Sequence, residues 1–322
     1  MKPIAITSLF CLLLFTGCSG DESIPVERQD NWVPLSITSA SVENVDESLT
    51  RAVTPTLLTT GSIGIFLEGA EGTSYAKKDD IQYDYSNSAW KPKVEAETLY
   101  LGGENANVCA YYKTTKITSV ADKGAVVLTS QIFDKEQDLL YATNQTVNGT
   151  SKDKEVEFIL SHAYSQIEFV LKRENYPNTC KVTNIAVKNA NIIGSTTLNL
   201  ATGVYATGSK NANFSYDTNP TTSDNGITVP SGGSTINSNL LMVPCTLANN
   251  NGTGLTLVLT VDGKTMTATV PYANLSALVA GKNHQITVVL KGTAIDVSVK
   301  DTPWELVPVN GEYNPEPVAP QP

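Results

Sequence analysis

The sequence predicts an all-β protein that contains two β-sandwiches in tandem. Apolar and polar residues alternate over many short runs, and turn-forming residues recur between these runs. No long segment of the sequence has the apolar spacing of an amphipathic helix. Hydrophobic residues make up 41% of the 322 residues and charged residues only 17%. Thr, Ser, Asn, Gly and Val are abundant, which favours strands and turns over helices.

The first eighteen residues indicate that the chain is exported. Lys2 supplies a positive charge, and the apolar run that follows is shorter than the roughly twenty residues that span a bilayer. Gly17 and Cys18 then resemble a bacterial lipobox, in which the peptide is cut before the cysteine and the cysteine carries lipid. We therefore expect residues 1–17 to be a lipoprotein signal peptide. The alternative is an ordinary signal peptide followed by a chance cysteine.

The charge and the cysteines argue against several kinds of site. The net charge is −10 and the sequence has no basic patch, which argues against a nucleic-acid partner. Besides Cys18, the exported chain keeps Cys109, Cys180 and Cys245, with no CxxC pair to support a thiolate metal site. We expect no cofactor, and we predict that the three cysteines are buried free thiols. The alternative is a disulfide between Cys180 and Cys245 in an oxidising compartment.

The segment after the lipobox is predicted to be a flexible tether followed by a strand. Residues 19–32 are mostly small, acidic or turn-forming, as in a linker. Val33, Leu35 and Ile37 then alternate with other residues and predict a half-buried strand. Pro34 confines this strand to a sheet edge or to a strand start.

A central hairpin is predicted to end the first domain. Residues 156–160 and 167–171 each alternate between apolar and polar positions, so we expect them to pair as antiparallel strands with one buried face. The alternating pattern breaks just after this hairpin. We therefore predict a first β-sandwich over residues 52–174, a second over residues 175–306, and a proline-rich tail over residues 307–322.

The second domain is predicted to contain two further hairpins. One covers residues 254–270 and turns at Asp262-Gly263, a two-residue turn that tolerates positive φ. The other pairs residues 286–290 with residues 295–299.

Other segments of the second domain are less regular. We expect an irregular strand near Asn184, a loop over residues 201–238, and a short helix over residues 275–279. Trp304 is expected to close the core.

The sequence gives little support for an enzyme. Its two histidines, His162 and His284, belong to no HExxH motif and to no close metal-spaced cluster. We expect His162 to lie in a turn beside Ser161, and His284 at a strand start, both as structural residues. The acidic pair Asp79-Asp80 is expected on a solvated loop rather than in a glycosidase site.

Several segments occur in a recognisable order and spacing, although each alone is a common strand pattern. In chain order they are Thr50-Arg51-Ala52, Glu97–Tyr100 with Val108–Tyr112, Asp138–Ala142, Val156–Ala163 with Ile167–Phe169, and Ala280–Val288 with Ile295–Val299 and Trp304. Together they resemble the fimbrillin (Mfa-like) proteins of Bacteroidales, which build type V pili. The resemblance covers most of the chain.

The resemblance implies a fold and a route of assembly. Fimbrillins have two transthyretin-like β-sandwich domains and reach the outer membrane at the cell surface as lipoproteins, which implies lipidation at Cys18. An arginine-specific protease then removes one N-terminal strand. The exposed groove accepts a strand from the next subunit, so that pilin subunits join head to tail.

The resemblance also assigns the residues of this step. Arg51 is the expected cleavage site and Ala52 the new N-terminus, so residues 18–51 are the tether and propeptide and Val33–Val42 is the removable strand. Arg28 is a rival site, but a cut there would leave the strand attached. A chain that is never cut is the remaining alternative.

The C-terminal end departs from the family pattern. A C-terminal segment often serves as the donor strand in fimbrillins, but prolines crowd this end and proline cannot donate to a ladder. At most Trp304–Val309, together with the strand before it, could contribute. An accessory pilin at the anchor or the tip of the pilus is therefore an alternative role for this chain, beside that of the main structural subunit.

Two functions are compatible with the sequence. The first is a structural pilus subunit that supports adhesion and has no enzymatic activity. The alternative is a surface lipoprotein that does not polymerise and that binds glycans or host proteins through loops such as residues 201–238.

Overall fold

The described residues fold almost entirely into β-strands. The computed structural model describes residues 31–43, 55–150, 154–218, 226–231, 236–292, 294–302 and 304. Within these ranges it contains no α-helix, and its helical residues include two short 3-10 turns, Glu95–Glu97 and Lys135–Gln137. The predicted all-β fold class is confirmed.

The strands are numbered in chain order. The first half of the chain contains β1 (Val33–Pro34), β2 (Ser36–Val42), β3 (Thr56–Leu57), β4 (Ser62–Gly69), β5 (Lys78–Ser86), β6 (Ala89–Pro92), β7 (Tyr100–Leu101), β8 (Ala106–Lys113), β9 (Val126–Thr129), β10 (Gln131–Ile132), β11 (Leu140–Val147) and β12 (Glu155–His162). The second half contains β13 (Ser165–Arg173), β14 (Lys181–Lys188), β15 (Ile193–Asn199), β16 (Val204–Tyr205), β17 (Ser209–Lys210), β18 (Asn213–Asp217), β19 (Ile227–Thr228), β20 (Ile236–Met242), β21 (Cys245–Thr246), β22 (Thr253–Val261), β23 (Lys264–Pro271), β24 (Ala277–Leu278), β25 (Asn283–Leu290) and β26 (Ile295–Thr302).

Most strands of the first half form one sheet, in the order β3-β2-β12-β11-β8-β4-β5-β6. β2 runs parallel to β12, whereas the other neighbours in this sheet are antiparallel. β2 also lies close to β6, near the far end of the sheet, so the sheet curls on itself. It encloses a core that includes the buried side chains of Ile63, Ile65, Tyr83, Phe158 and Leu160.

Two sheets form most of the second half. One has the order β10-β20-β13-β25-β26, and the other has the order β18-β14-β22-β23 with β19 also paired to β14. Both sheets contribute to one core, with Ile167 and Phe169 from the first and Ile185, Leu257 and Leu259 from the second. Two sheets that bury their apolar faces in one core form a β-sandwich.

A small sheet joins the two halves of the chain. β9 from the first half pairs with β15 from the second, and β16 and β17 also pair with β15. A third core cluster includes Phe66 and Tyr111 from the first half and Leu198, Leu241 and Trp304 from the second. Because this cluster takes side chains from both halves, the division into two tandem domains stays a prediction.

The predicted central hairpin is wrong. β12 pairs with β2 and β11, whereas β13 pairs with β20 and β25 and so belongs by its partners to the second half. The connecting residues Ala163 and Tyr164 are buried in the third core instead of forming an exposed turn. Alternation along a strand indicates which face is buried, but it does not identify the strand with which it pairs. The domain boundary at residue 174 was predicted from the end of this hairpin, so that support for it is gone.

The hairpin at Asp262-Gly263 is confirmed. β22 and β23 pair antiparallel, and the two turn residues have φ values of +47° and +74°. Asp and Gly tolerate this left-handed backbone better than other residues. The Asp262 carboxylate also accepts hydrogen bonds from the backbone N–H groups of Cys180 and Lys181, each at 3.0 Å. The turn is thereby fastened to the start of β14.

Two other predictions for the second half are confirmed. β25 and β26 pair antiparallel with Val288 opposite Val297, as the alternation predicts. The register of β14 against β22 shifts between Val182 and Asn184, which is the predicted irregularity.

Two predictions for the second half are wrong. Residues 275–279 form no helix, because β24 pairs with β21 there, and a short apolar run fits either structure. The predicted loop over residues 201–238 contains β16, β17, β18, β19 and the start of β20. Residues 219–225 and 232–235 of that loop lie outside the described residues. Three of these strands are two residues long, too short for an alternating pattern to mark them.

Trp304 is a core residue, but it closes the third core, which both halves share, and not the core of the second half as expected. Its position gives a first testable prediction. The residue is 4% exposed, and its ring stacks on His162 with the ring centroids 4.0 Å apart. Replacing Trp304 with alanine should lower the free energy of unfolding by about 3–5 kcal/mol, because it leaves a cavity in the core. Urea denaturation measures the loss.

The matched control is Val127→Ala, because the Val127 side chain is 69% exposed. This substitution should change the free energy of unfolding by less than about 0.5 kcal/mol. Equal losses in the two variants would contradict the role assigned to Trp304.

Candidate functional site: the N-terminal segment and its groove

The N-terminal segment, residues 32–43, lies in a groove between the eight-stranded sheet of the first half and the short strand β7. Val33–Pro34 pairs antiparallel with β7, and the Leu35 N–H donates a hydrogen bond to the Leu99 carbonyl at 2.8 Å. Residues 36–42 then pair parallel with β12. We call the surface formed by β7, β12 and β3 the strand groove.

The segment contributes four buried apolar side chains to the core of the first sheet. Leu35, Ile37, Ala40 and Val42 are each at most 7% exposed, and they share one core cluster with Phe158. Burial of a leucine or isoleucine side chain stabilises a fold by roughly 1.5–3 kcal/mol. The segment is therefore part of the core and not a surface addition.

A β-bulge at Thr38 determines which residues of the segment face the core. The register of β2 against β12 shifts after Ile37 and resumes at Ser39, so Thr38 is the extra residue. The Thr38 hydroxyl donates a hydrogen bond to the Val156 carbonyl at 3.1 Å. Because of the extra residue, the apolar residues that face the core change from the odd-numbered Leu35 and Ile37 to the even-numbered Ala40 and Val42.

The outer edge of β2 is only partly covered. β3 pairs antiparallel with Ser41 and Val42, and the Leu58 N–H donates a hydrogen bond to the Ala40 carbonyl at 2.9 Å. The remainder of β2 has no second partner strand among the described residues. Removal of the segment would therefore leave the pairing order β12-β11-β8-β4-β5-β6 intact.

The segment leads into the region predicted to be cleaved. Residues 44–54 connect β2 to β3, in which Val42 and Thr56 lie directly opposite each other. Arg51 and Ala52 belong to this connection and lie outside the described residues, as does Cys18. Cleavage and lipidation therefore stay predictions.

The strand itself is found at its predicted position. The groove holds the predicted strand residues Val33, Leu35 and Ile37. The bulge interrupts the alternation, so the two core residues beyond it were not recognised from the sequence. Trp32, which the composition assigned to the tether, packs its ring on Tyr75 instead.

His162 is a buried structural residue. It is the last residue of β12 and 1% exposed, so the predicted turn position is wrong. Its Nδ1 lies 2.7 Å from Asp138 Oδ2, and its ring stacks on Trp304. Consecutive strand residues point to opposite faces, and the Ser161 hydroxyl donates a hydrogen bond to the Glu43 carboxylate at 2.9 Å. Ser161 and His162 therefore form no nucleophile–base pair.

The acidic pair Asp79-Asp80 lies in β5 and not in a loop, which corrects the prediction. Asp80 accepts a hydrogen bond from the Tyr111 hydroxyl at 2.6 Å and forms an ion pair with Lys113 at 2.7 Å. Burial and the contact with Asp80 raise the pKa of Tyr111 well above its usual value. Asp79 pairs with Lys77 at 3.1 Å. Across the described part of the chain, no group of three or more His, Cys, Asp or Glu side chains could hold a metal ion.

The three cysteines of the described residues are free thiols. Cys109 and Cys180 are buried and Cys245 is half-buried, and the alternative disulfide between Cys180 and Cys245 is not formed. Burial raises the pKa of the Cys109 and Cys180 thiols to about 11. Both therefore stay protonated near neutral pH and pack as small apolar side chains.

Comparison with known proteins identifies the family. Residues 50–304, which are more than half of the chain, match the fimbrillin-like family model. The chain therefore belongs to the fimbrillin-like family. β1 and β2 lie before the first matched residue. No match was found among curated proteins.

Solved structures share the fold. A candidate cell adhesion protein of Bacteroides ovatus is 17% identical with a TM-score of 0.59, over 86% of this chain and 99% of that chain. A candidate cell adhesion protein of Bacteroides uniformis is 19% identical with a TM-score of 0.56, over 86% of this chain and 100% of that chain. At these identities the likeness shows the fold alone.

None of the helical segments in the described ranges is long and apolar enough to cross a membrane.

His284 is the second buried histidine, and it should make the stability depend on pH. Burial lowers the pKa of His284 below its ordinary value of 6.5, and the 2.7 Å contact between its Nδ1 and Asp301 opposes that shift. The folded state thus binds the proton more weakly than the unfolded state. The contribution to stability is complete above pH 6.5 and is lost as the pH falls through the lowered pKa.

Urea denaturation of the wild type and of His284→Gln between about pH 8 and about pH 4 tests this. Because the variant has no proton to bind at this position, the wild type should lose up to about 1.4 kcal/mol more per pH unit than the variant in the acidic range. Identical pH profiles for the two proteins would contradict the prediction.

Proposed function

We propose that the chain is a structural subunit of a cell-surface pilus, which supports adhesion and assembles by strand exchange after proteolysis. The observation that carries this proposal is the position of the N-terminal segment. It closes the core of the first sheet, yet it lies before residues 50–304, which match the fimbrillin-like family. A cut after Arg51 would release this strand together with only the first two residues of the matched range, Thr50 and Arg51.

Export and anchoring form the first step of the proposal. The signal peptide, residues 1–17, is cut before Cys18, and the lipid on Cys18 holds the precursor in the outer membrane at the cell surface. The apolar run and the lipobox-like pair Gly17-Cys18 support this step. The small and acidic residues that follow the cysteine serve as the tether.

Proteolysis after Arg51 is the second step. Residues 44–54 connect the paired strands β2 and β3, so a cut there leaves the N-terminal segment held by non-covalent contacts alone. A cut at Arg28 would leave β2 joined to the rest of the chain and would release nothing from the groove.

Strand exchange is the third step. Loss of the segment exposes an apolar groove and leaves the outer edge of β12 without its ladder partner. A strand from a second subunit replaces the buried side chains at roughly 1.5–3 kcal/mol each and the ladder hydrogen bonds at roughly 0.5–1.5 kcal/mol each. The gross gain is on the order of 10 kcal/mol, reduced by the cost of ordering the strand. Because the contact is head to tail, it extends into a filament.

A substitution at the cleavage site tests the proposal. The full chain is exported with its own signal peptide in a Bacteroidales host that supplies an arginine-specific protease. The wild type should begin at Ala52 and give high-molecular-weight ladders on unboiled gels. Arg51→Lys should keep the N-terminal segment and run as a single band, because the protease requires arginine.

Arg28→Lys is the matched control, because it removes the other N-terminal arginine and leaves Arg51 in place. It should assemble like the wild type. Ladders from Arg51→Lys with the segment still attached would contradict the proposal, and so would wild-type ladders whose subunits begin at Cys18.

A further inference from the structure

The strand groove ends in an aromatic contact. The Trp32 ring lies against the Tyr75 ring, with the centroids 5.1 Å apart and the planes inclined by 47°. The indole also lies directly over Gly102, where an added Cβ would be only 2.9 Å from Trp32 Nε1 and 3.0 Å from Cε2. The indole therefore occupies space that any side chain at position 102 would fill.

The surface that the Trp32 ring contacts is held together by hydrogen bonds between residues 74–75 and residues 102–104. The Tyr75 hydroxyl accepts a hydrogen bond from the Gly102 N–H at 2.7 Å and lies 2.9 Å from the Glu104 carbonyl oxygen, to which it donates. The backbone N–H and the hydroxyl of Ser74 both donate to Glu104 Oε2 at 2.9 Å. None of these bonds involves Trp32, so the surface is preorganised for a ring.

We propose that Tyr75 and Gly102 form an aromatic subsite of the strand groove, which binds the Trp32 ring and so sets where the N-terminal segment lies until a strand from a second copy replaces it. This inference deepens the proposed function and rests on it, because the segment can be exchanged only after the chain has been cut. Trp32 lies three positions before the first core residue of the segment, Leu35.

The subsite would give the N-terminal segment its register in the groove. Ladder hydrogen bonds are alike along a strand, so they bind any sequence, and a strand can slip along the groove. An aromatic ring fits over Gly102 and beside Tyr75, because no side chain at position 102 blocks it. Placing the ring there fixes the position of the first core residue and so of every core residue after it.

A double-mutant cycle on the full chain tests the subsite. The exported chain is cut with an arginine-specific protease, which leaves the N-terminal segment bound without a covalent link. Labelled peptides of residues 31–43, with and without Trp32→Ala, then compete with this segment, and fluorescence polarisation gives each Kd. On the wild type, Trp32→Ala in the peptide should weaken binding about tenfold.

Two protein variants complete the cycle. Gly102→Ala should bind both peptides weakly and with equal affinity, because the added Cβ displaces the indole. Gly103→Ala is the matched control, since a Cβ there meets its nearest atom, Thr150 Cγ2, at an ordinary 3.4 Å. It should keep the tenfold preference and show that the loop folds with an alanine next to the subsite.

The outcomes separate this inference from the proposed function. Equal binding of the two peptides to the wild type would overturn the subsite while it supports an exchangeable strand. A preference that survives in Gly102→Ala, or that Gly103→Ala abolishes equally, would also overturn the subsite. Failure of every peptide to displace the segment would overturn strand exchange and the subsite together.

Discussion

The structure of the first half depends on apolar burial by one strand that enters from the N-terminal end of the chain. β2 is the parallel partner of β12, and the side chains of Leu35, Ile37 and Val42 complete the core that the curled sheet encloses. Burial of apolar surface is the main favourable term in folding. Removal of this strand would therefore expose the same apolar surface whose burial stabilises the uncut chain.

The local sequence of this segment fits its position with one irregularity. Small residues form the middle of β2, so most of the buried apolar surface comes from its two ends. Val42 lies five positions after Ile37, and this odd offset would place the two side chains on opposite faces of a regular strand. The bulge at Thr38 allows both to face the same core. Trp32 extends the contact beyond the ladder to Tyr75, which lies in the loop before β5.

The sequence predicted local features well and long-range ones poorly, for a physical reason. The turn at Asp262-Gly263 and the alternation at Val33, Leu35 and Ile37 depend on neighbouring residues, so their patterns are visible in the chain. The partner of a strand depends on the assembled sheet, which is why the hairpin of β12 with β13 was predicted wrongly. The packing of Trp32 on Tyr75 joins residues far apart in the sequence, and no periodicity marks it.

The third core cluster has a mechanical consequence. Phe66 and Tyr111 from the first half pack in one cluster with Leu198, Leu241 and Trp304 from the second. Separating the halves would expose apolar surface on both sides at once, so the cluster resists tension between them. A fibre made of such units would transmit a pulling load through each unit as a whole, and shear would not first open a hinge between its halves.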